Sequence, residues 1–350
     1  MSAVKAGDRA QLKVAIIGAG EVGEKHALAF RRLSPETCLI GVADVDAARA
    51  ASLAAKCETQ PFTGYQALLD LEPDVAIVGV PHYLHREVAQ AAAERGIHLL
   101  MEKPLAHTLE DAYAIVDVAR THQVALAVGF VHRFRLEFQQ AHRAIAEGKL
   151  GTPAIALDTF CTGGGTRVPA WVWRKQQAGG GALMYTGIHS VDRLRWLLDS
   201  EVVEVFARAK TYTQAADVED GLVATLVFDN GCVATLIENA PDYEVVTRSW
   251  DCEIYGSLGR LRMRTGAYVE FTGDAGAYQV TVQKDDCFYA QARGVAAAIQ
   301  AGRTPWITGE DGLRAQEVVE SIYRSAASGQ VDRPQYPTQP TTEPTLHNSR

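Results

Sequence analysis

The fold is decided by residues 12–23, LKVAII-GAGEVG, in which a continuous apolar run leads directly into three glycines. Such a run is typical of a strand buried on both faces of a parallel sheet. Residues 24–33 that follow have helical periodicity, so the glycines join a strand to a helix. Gly18 permits the tight turn, Gly20 lets backbone approach a pyrophosphate, and Gly23 allows close helix–strand packing. The helix amino end then offers N–H donors to phosphates, and the sequence predicts a dinucleotide-binding turn.

A second predicted strand, residues 39–43, ends in Asp44, which lies 21 residues after Gly23. An acidic residue about 20 positions beyond the glycines binds the adenosine ribose in such folds. A carboxylate accepts hydrogen bonds from a 2′-hydroxyl but repels a 2′-phosphate, and the first basic residue after it is Arg49. NAD is therefore predicted in preference to NADP. The alternative is an ordinary βα turn with a surface aspartate.

Strands and helices alternate through the rest of the first half. Helices are predicted at 65–70, 86–95 and 109–122, and strands at 75–80, 98–101 and 124–131. The alternation predicts right-handed crossovers and an open parallel sheet, whose ligands bind beyond the carboxyl ends of the strands. The residues just past those ends are Pro81, His82, His85, Glu102, Lys103, Pro104, His132 and Arg133.

Lys103 is the most informative of these residues. A lysine beside a nicotinamide hydrogen-bonds the reacting oxygen and stabilises developing alkoxide charge. The alternative is a solvated surface lysine. His82 and His85 are candidates for donation to a carboxamide or a substrate hydroxyl, or else packed histidines at a helix start. His26, in the first helix, is interpreted as a packing or capping residue.

A second motif, residues 179–192 (GGGALMYTGIHSVD), carries the candidate chemistry. Each glycine costs a helix about 1 kcal/mol relative to alanine, so the triple glycine predicts a flexible lip before a helix that ends near Leu198. Tyr185, His189 and Asp192 recur at spacings of four and three, which predicts one helix face. The adjacent buried stripe comprises Met184, Ile188, Val191, Leu194 and Leu198. A phenol, an imidazole and a carboxylate on one face predict proton transfer.

Composition limits the class of protein. The 350 residues suggest two domains, and 47% hydrophobic with 22% charged residues is typical of a soluble globular protein. A net charge of −8 without a Lys/Arg run argues against nucleic acid or an anionic membrane as a partner. Neither a signal sequence nor a membrane span is predicted. The six cysteines lack CxxC spacing, which predicts reduced thiols in the cytoplasm, and no metal site is expected.

These motifs resemble those of the Gfo/Idh/MocA oxidoreductases, which include glucose–fructose oxidoreductases and inositol dehydrogenases. The resemblance is carried by 14–30 (VAIIGAGEVGEKHALAF), 78–85 (VGVPHYLH), 101–106 (MEKPLA), 128–134 (VGFVHRF) and 179–198, with weaker agreement over 218–236, 253–261 and 307–329. It implies an α/β protein, with a Rossmann doubly wound parallel sheet (10–131) followed by an α/β domain with a large, mostly antiparallel sheet (132–333). That sheet often forms the subunit interface in this family, so a homo-oligomer is expected.

The second half agrees with this architecture independently. LVATLVF-DNG-CVATLIE (222–238) predicts a β-hairpin with Asn230 and Gly231 in its turn. Residues 334–350 are rich in Pro, Thr and Gln and are predicted to form a disordered tail.

The resemblance also assigns roles. Lys103 resembles the family's lysine and His189 its catalytic histidine. The predicted cofactor contacts are Gly18, Gly20, Glu21, Val22, Gly23, Asp44, Pro81, His85, Glu102 and Lys103. The departure is Tyr185, because the usual pattern has an aspartate four residues before the histidine. An aspartate is ionised at neutral pH, whereas a phenol with a pKa near 10 is protonated and suits donation.

The resulting hypothesis is hydride transfer between NAD(H) and a carbinol or ketone carbon of a sugar, cyclitol or related polyol, leaning to ketone reduction. Tyr185 is the general acid/base with its pKa lowered by Lys103, and His189 is a second donor or alternative base. The alternative is that Tyr185 fills space and His189 acts alone. Asp192 is expected to fix the neighbouring helix. The predicted substrate contacts are Lys103, Arg133, Trp173, Tyr185 and His189, with Trp171, Arg167 and Arg174 as further candidates.

Two other functions stay open at the level of sequence. NAD-dependent glycosidases oxidise a sugar transiently, eliminate a group and restore the hydride, so they retain NAD without net change in NADH absorbance. A regulator binds the dinucleotide without turnover. Such a regulator is expected to lack Lys103 or His189, and this chain has both.

Overall fold

The computed structural model describes residues 11–161, 168–212, 215–241, 248–283 and 286–336. The first half comprises β1 (Leu12–Ile17), α1 (Glu21–Arg31), β2 (Thr37–Ala43), α2 (Ala47–Cys57), β3 (Pro61–Phe62), α3 (Tyr65–Leu69), β4 (Val75–Val78), α4 (His85–Ala93), β5 (His98–Met101), α5 (Leu109–Thr121) and β6 (Leu126–Val128).

The first sheet is parallel throughout, with strand order β3-β2-β1-β4-β5-β6. This is the order of a doubly wound dinucleotide-binding fold, and the predicted Rossmann sheet is confirmed. The order reverses between β1 and β4, so the carboxyl ends of these two strands flank the crevice in which ligands bind. Both strands are almost entirely buried, as expected for a sheet covered by helices on both faces.

Two predicted strands are longer than the observed ones. The strand predicted at 75–80 ends at Val78, and the one predicted at 124–131 spans only Leu126–Val128. After the latter, the chain turns into a short 3-10 helix at Val131–Phe134 that is also largely buried. An apolar run does not distinguish a buried strand from a buried turn, which explains the difference.

The second half comprises α6 (Leu136–Ala146), β7 (Pro153–Cys161), α7 (Lys175–Ala178), α8 (Ile188–Leu198), β8 (Val202–Lys210), β9 (Gly221–Phe228), β10 (Val233–Asn239), β11 (Ser249–Gly256), β12 (Gly259–Arg264), β13 (Tyr268–Gly273), β14 (Gly276–Thr281), α9 (Cys287–Gln300) and α10 (Gly309–Ser328). None of the helices in the described ranges is long and apolar enough to cross a membrane.

The second sheet has the order β14-β13-β12-β11-β7-β10-β9-β8 and is antiparallel except where β7 pairs with β10. The mostly antiparallel sheet is therefore confirmed, as is the β9–β10 hairpin. In its turn Gly231 has φ +86°, and the Asn230 side chain accepts a hydrogen bond from the backbone N–H of Cys232. Helix α6 packs on β12 and β13, α10 packs on β8, and α8 contacts both helices.

The last two helices return to the first sheet. Ala292, Val295 and Ala296 of α9 pack in one apolar cluster with residues of β1 and α1, and the backbone N–H of Val128 donates to Ile307 O. Helix α10 contacts α5 as well as β8. Two elements of the predicted second domain, 132–333, thus also contact the Rossmann half, and the predicted boundaries stay a prediction. A parallel sheet needs cover on both faces, and helical periodicity alone does not tell which sheet a helix covers.

The chain is ordered further than predicted at its C-terminal end. The Tyr336 hydroxyl donates to Val202 O at 3.0 Å, so residues 334–336 do not belong to the disordered tail predicted from residue 334. The remainder of that predicted tail, 337–350, lies outside the described residues.

Candidate active site

The dinucleotide turn joins β1 to α1 as predicted. A Cβ on Gly23 would collide with Gly18 O, so only glycine lets the helix lie this close to the strand. Around Gly20, by contrast, a Cβ would meet no described atom within 4 Å. Gly20 also begins α1, and no side chain caps that end. Open space beside uncapped N–H donors fits the pyrophosphate of a dinucleotide.

Asp44 lies at the end of β2 beside this turn. Its Oδ2 accepts a hydrogen bond from Ala19 N at 2.7 Å and its Oδ1 accepts one from Asp46 N at 2.8 Å. A carboxylate has about four acceptor sites, so two are left for ribose hydroxyls. Asp46 caps α2, and its carboxylate lies 3.3 Å from the Nε of Arg49 in an exposed ion pair. The free acceptor sites of the Asp44 carboxylate fit a 2′-hydroxyl, and its negative charge repels a 2′-phosphate.

Lys103 and Tyr185 meet beyond the carboxyl end of β5. The Lys103 Nζ donates to the Tyr185 backbone oxygen at 2.5 Å and lies 4.9 Å from the centroid of the Tyr185 ring. Lys103 is thus not a solvated surface lysine. Burial lowers the pKa of the Lys103 ammonium, and the negative charge of Glu102 opposes this shift.

The pKa of Tyr185 moves opposite to the expectation. Burial raises the pKa of its phenol, and the charges of Glu21 and Glu102 raise it further. The pKa of Tyr185 is therefore raised and not lowered as predicted, because burial disfavours the charged phenolate. The consequence is a hydroxyl that stays protonated at neutral pH. Its oxygen makes no hydrogen bond with another described residue.

His189 lies in the same region, buried and neutral. Its ring stacks on that of His132 with centroids 4.3 Å apart and planes 8° apart. Burial lowers the pKa of His189 well below its usual range, and the charges of Lys103, Arg193 and Arg135 lower it further. Its Nδ1 is buried without a hydrogen-bond partner in the described ranges.

The triple glycine is a packed junction rather than a flexible lip, and that prediction is wrong. A Cβ on Gly181 would collide with Glu219 O, and the two preceding glycines are equally confined. The Glu219 carboxylate accepts hydrogen bonds from the backbone N–H groups of Gly181 and Leu183, both at 3.0 Å. Glycine is needed here for close approach, not for mobility.

The helix after this junction begins differently from the prediction. Leu183–Gly187 form a π-helical turn, and regular α-helix starts only at Ile188. The extra residue in a π-turn interrupts the spacing of three and four on which the single predicted face rests. Tyr185 therefore lies at the site beside Lys103, whereas Asp192 is fully buried away from solvent. The predicted apolar stripe of Met184, Ile188, Val191, Leu194 and Leu198 is buried as expected.

Arg133 does not belong to the site, and its prediction as a substrate contact needs correction. It is buried, with Nη2 2.6 Å from an Asp192 carboxylate oxygen and 2.9 Å from one of Asp311. Its guanidinium is thus used inside the protein, and Asp192 fixes its own helix through this pair. The pKa of Arg133 is raised by both carboxylates.

His85 also has a structural role, which corrects its prediction as a cofactor contact. It is fully buried, and its two ring nitrogens lie 3.1 Å from Leu105 O and 3.0 Å from Val80 O. It links the loops that follow β4 and β5. His26 packs as expected, with Nε2 2.8 Å from a Glu102 carboxylate oxygen. Glu102 is thereby held next to Lys103.

The Trp171 ring packs against two aromatic side chains of this region, His82 and Tyr185. Its ring lies edge-on to His82 at 4.6 Å and to Tyr185 at 6.3 Å. His82 Nδ1 lies 3.0 Å from Ala178 O, and burial lowers its pKa well below the usual range. Arg174 is exposed, and Arg167 lies outside the described residues.

Other residues of the site were missed from the sequence. His132 and Trp250 surround the His189 ring, with Trp250 4.4 Å from His132 and 5.9 Å from His189. Position 132 was noted as a strand end, but its stacking depends on α8, far along the chain.

Arg248 is exposed with its guanidinium carbon 5.4 Å from the centroid of Phe160. Across the described ranges, the histidines, cysteines and carboxylates form no group able to hold a metal ion, and all six cysteines are free.

A Rossmann sheet carries a dinucleotide turn, and a lysine beyond β5 meets a tyrosine and a histidine from the segment that leads into α8. This arrangement defines an NAD-binding oxidoreductase. Residues 12–130 match the GFO_IDH_MocA model described as "Oxidoreductase family, NAD-binding Rossmann fold". Residues 138–262 match the GFO/IDH/MocA C-terminal domain. The chain belongs to the Gfo/Idh/MocA family of oxidoreductases.

Relatives cover most of the chain. D-glucoside 3-dehydrogenase of Escherichia coli K12 is 33% identical over 64% of this chain and 69% of its own length. Inositol 2-dehydrogenase 3 of Saccharopolyspora erythraea is 26% identical over 91% and 94%. Among solved structures, GenD2 from gentamicin A biosynthesis in complex with NAD has a TM-score of 0.82 at 26% identity, covering 93% of this chain and 97% of that one.

Proposed function

We propose that this protein transfers a hydride between NAD(H) and a secondary carbinol or ketone carbon of a sugar or cyclitol. The observation that carries the proposal is the meeting of the Lys103 ammonium with the Tyr185 ring at the carboxyl end of the Rossmann sheet. The names of the relatives, D-glucoside 3-dehydrogenase and inositol 2-dehydrogenase, support a cyclic polyol as the substrate class.

Bound NAD(H) supplies the hydride chemistry, and the side chains handle protons and charge. Tyr185 donates its hydroxyl proton to the carbonyl oxygen during reduction. Lys103 stabilises the negative charge that develops on that oxygen. Neutral His189 accepts a hydrogen bond from a neighbouring substrate hydroxyl and so orients the ring. Trp171 offers an apolar wall to a sugar face, and the predicted contact by Trp173 stays a prediction.

The pKa of Tyr185 favours the direction of ketone reduction. A raised pKa keeps the phenol protonated at neutral pH, which is the form that reduction requires, whereas oxidation requires the phenolate, which is scarce. Oxidation therefore depends on a second proton acceptor, for which His189 is the neutral candidate.

An absorbance screen of sugars, cyclitols and keto-sugars with NAD(H) and NADP(H), run in both directions, tests the function. We expect turnover with NAD(H), faster for ketone reduction than for alcohol oxidation. NADH binding by fluorescence without turnover on any compound would instead support a regulator. Release of an aglycone with NAD retained and no net absorbance change would support a glycosidase.

We also propose that the second sheet joins two copies of the chain. Its face opposite the helices exposes apolar side chains, among them Ile155 at 55% and Val223 at 50% exposure. Leu157, Val233 and Ile237 extend this patch across neighbouring strands. Contiguous apolar patches of this kind mark interaction surfaces. Light scattering of the purified protein measures the oligomeric state.

Replacing Asp44 with alanine is expected to weaken NADH binding by about 10- to 100-fold, because hydrogen bonds to a charged group contribute about 1.5–3 kcal/mol. Binding of NADPH is expected to fall less, since a repulsive carboxylate is removed. Fluorescence titration measures both affinities. Asp70→Ala, which removes an exposed carboxylate paired with Arg95, is the control. Unchanged NADH affinity in Asp44→Ala would contradict the assignment.

A further inference from the structure

Behind His189 lies a column of parallel rings that we call the imidazole stack, formed by His189, His132 and Phe138. The His189 and His132 planes differ by 8°, and the His132 and Phe138 planes differ by 14° at 5.7 Å between centroids. Trp250 closes one side of the stack edge-on. All four rings are buried.

A buried ion pair lies next to His132 and fixes that ring of the stack. Arg193, which is fully buried, donates from Nε to an Asp158 carboxylate oxygen at 2.6 Å and from Nη2 to the other. Its Nη1 lies 3.4 Å from His132 Nδ1. Arginine only donates, so His132 accepts at Nδ1 and carries its hydrogen on Nε2. His132 is therefore a neutral ring of defined tautomer.

Among the residues that the structure describes, by contrast, none makes a hydrogen bond that sets the orientation of the His189 ring. Its Nδ1 is without a partner in the described part of the chain, and no carboxylate there lies within ion-pair distance of the ring. Functional histidines are usually oriented by a carboxylate or a backbone carbonyl on the second nitrogen. The residue one turn earlier, Tyr185, offers a ring and a hydroxyl but no carboxylate.

We propose that His132 is a positioning residue, which orients the His189 imidazole by parallel stacking and excludes water from its buried face. The expected effect on kcat rests on the proposed function, whereas the orientation and protonation of His189 do not. Burial is the main cause that lowers the pKa of His189, and the positive charges of Lys103, Arg193 and Arg135 lower it further. A correctly stacked His189 is thus a neutral hydrogen-bond acceptor at physiological pH.

The test follows the imidazole signals of His189 by NMR during a pH titration of the full-length protein with NADH bound. In the unmodified protein we expect His189 to stay neutral well below about pH 6.5, the ordinary pKa of an imidazole. In His132→Ala, water enters and the pKa is expected to rise toward that value. In His132→Phe, which keeps a stacking ring, His189 is expected to stay neutral.

The kinetic readout uses a substrate found in the screen. His132→Ala is expected to lower kcat by about 10- to 100-fold with unchanged KM for NADH, and kcat is expected to fall off on the acid side near pH 6.5. His132→Phe is expected to restore most of kcat. The matched control is His142→Ala, because His142 stacks on Trp196 at 4.6 Å and 7° outside the site.

Failure of the stacking proposal and failure of the proposed function give different results in these experiments. Titration of His189 near pH 6.5 in the unmodified protein would overturn the proposal even if His132→Ala fails to fold. A folded His132→Ala with unchanged His189 titration and unchanged kcat would overturn it as well. Absence of turnover on every compound would contradict the proposed function, whereas the NMR titration would still test the stack.

Discussion

Replacing Tyr185 with phenylalanine is expected to lower kcat for ketone reduction by about 10²–10⁴-fold while NADH affinity stays unchanged. The substitution removes only the hydroxyl, so the ring next to Lys103 remains in place. The backbone oxygen that accepts from the Lys103 ammonium is also retained. The loss therefore measures proton donation rather than the packing of the site. Steady-state kinetics with NADH and a keto-sugar give kcat, and fluorescence titration gives the NADH affinity.

The matched control is Tyr65→Phe, because the Tyr65 hydroxyl donates to Glu87 on the Rossmann domain, away from the proposed proton transfer. We expect unchanged kcat there. Turnover of Tyr185→Phe equal to that of the unmodified protein would mean that Tyr185 fills space and His189 acts alone.

The same tyrosine predicts the pH dependence of the two directions. Its folded-state pKa is raised above the ordinary 10.0, so the protonated phenol is present at all lower pH values. The kcat for reduction is therefore expected to be unaffected by this group up to about pH 10 and to fall only above it. The kcat for oxidation is expected to rise over that upper range, because the phenolate is then the acceptor.

The Rossmann half was predictable because its determinants are local. The glycine turn, the strand before it and Asp44 after it all lie within about thirty residues, and each has a steric or electrostatic requirement of its own. The β9–β10 hairpin was equally local, since Asn230 and Gly231 suit its turn. Long-range pairing was not needed to infer either feature.

The parts that the sequence did not predict depend on partners far along the chain. The glycines at 179–181 are confined by His107, Tyr323 and Glu219, which lie far from them in the sequence. The sequence alone does not distinguish a confined glycine from a mobile one. Arg133 forms ion pairs with Asp192 and Asp311, which lie 59 and 178 residues away. No local sequence motif indicates pairs at such separations. The π-turn at Leu183–Gly187 adds one residue where the helical spacing was assumed to be regular.

Replacing Lys103 with methionine is expected to lower kcat by about 10²–10³-fold, the usual cost of removing one donor to a developing oxyanion. Methionine keeps most of the apolar volume but removes the charge and the hydrogen bond to Tyr185 O. The KM for NADH is expected to change much less than kcat, since the contribution is realised mainly in the transition state. Steady-state kinetics separate the two parameters.

The control is Lys13→Met, because the Lys13 ammonium contacts Glu72 O near the opposite end of the first sheet. The combination of Lys103→Met with Tyr185→Phe separates two roles for the lysine. If Lys103 acts on the same oxygen that Tyr185 protonates, the losses in the double variant are expected to be smaller than the product of the single ones. Losses that multiply in full would mean that the lysine and the phenol serve different steps. Unchanged kcat in Lys103→Met would contradict the electrostatic role, because no other described ammonium contacts the Tyr185 ring.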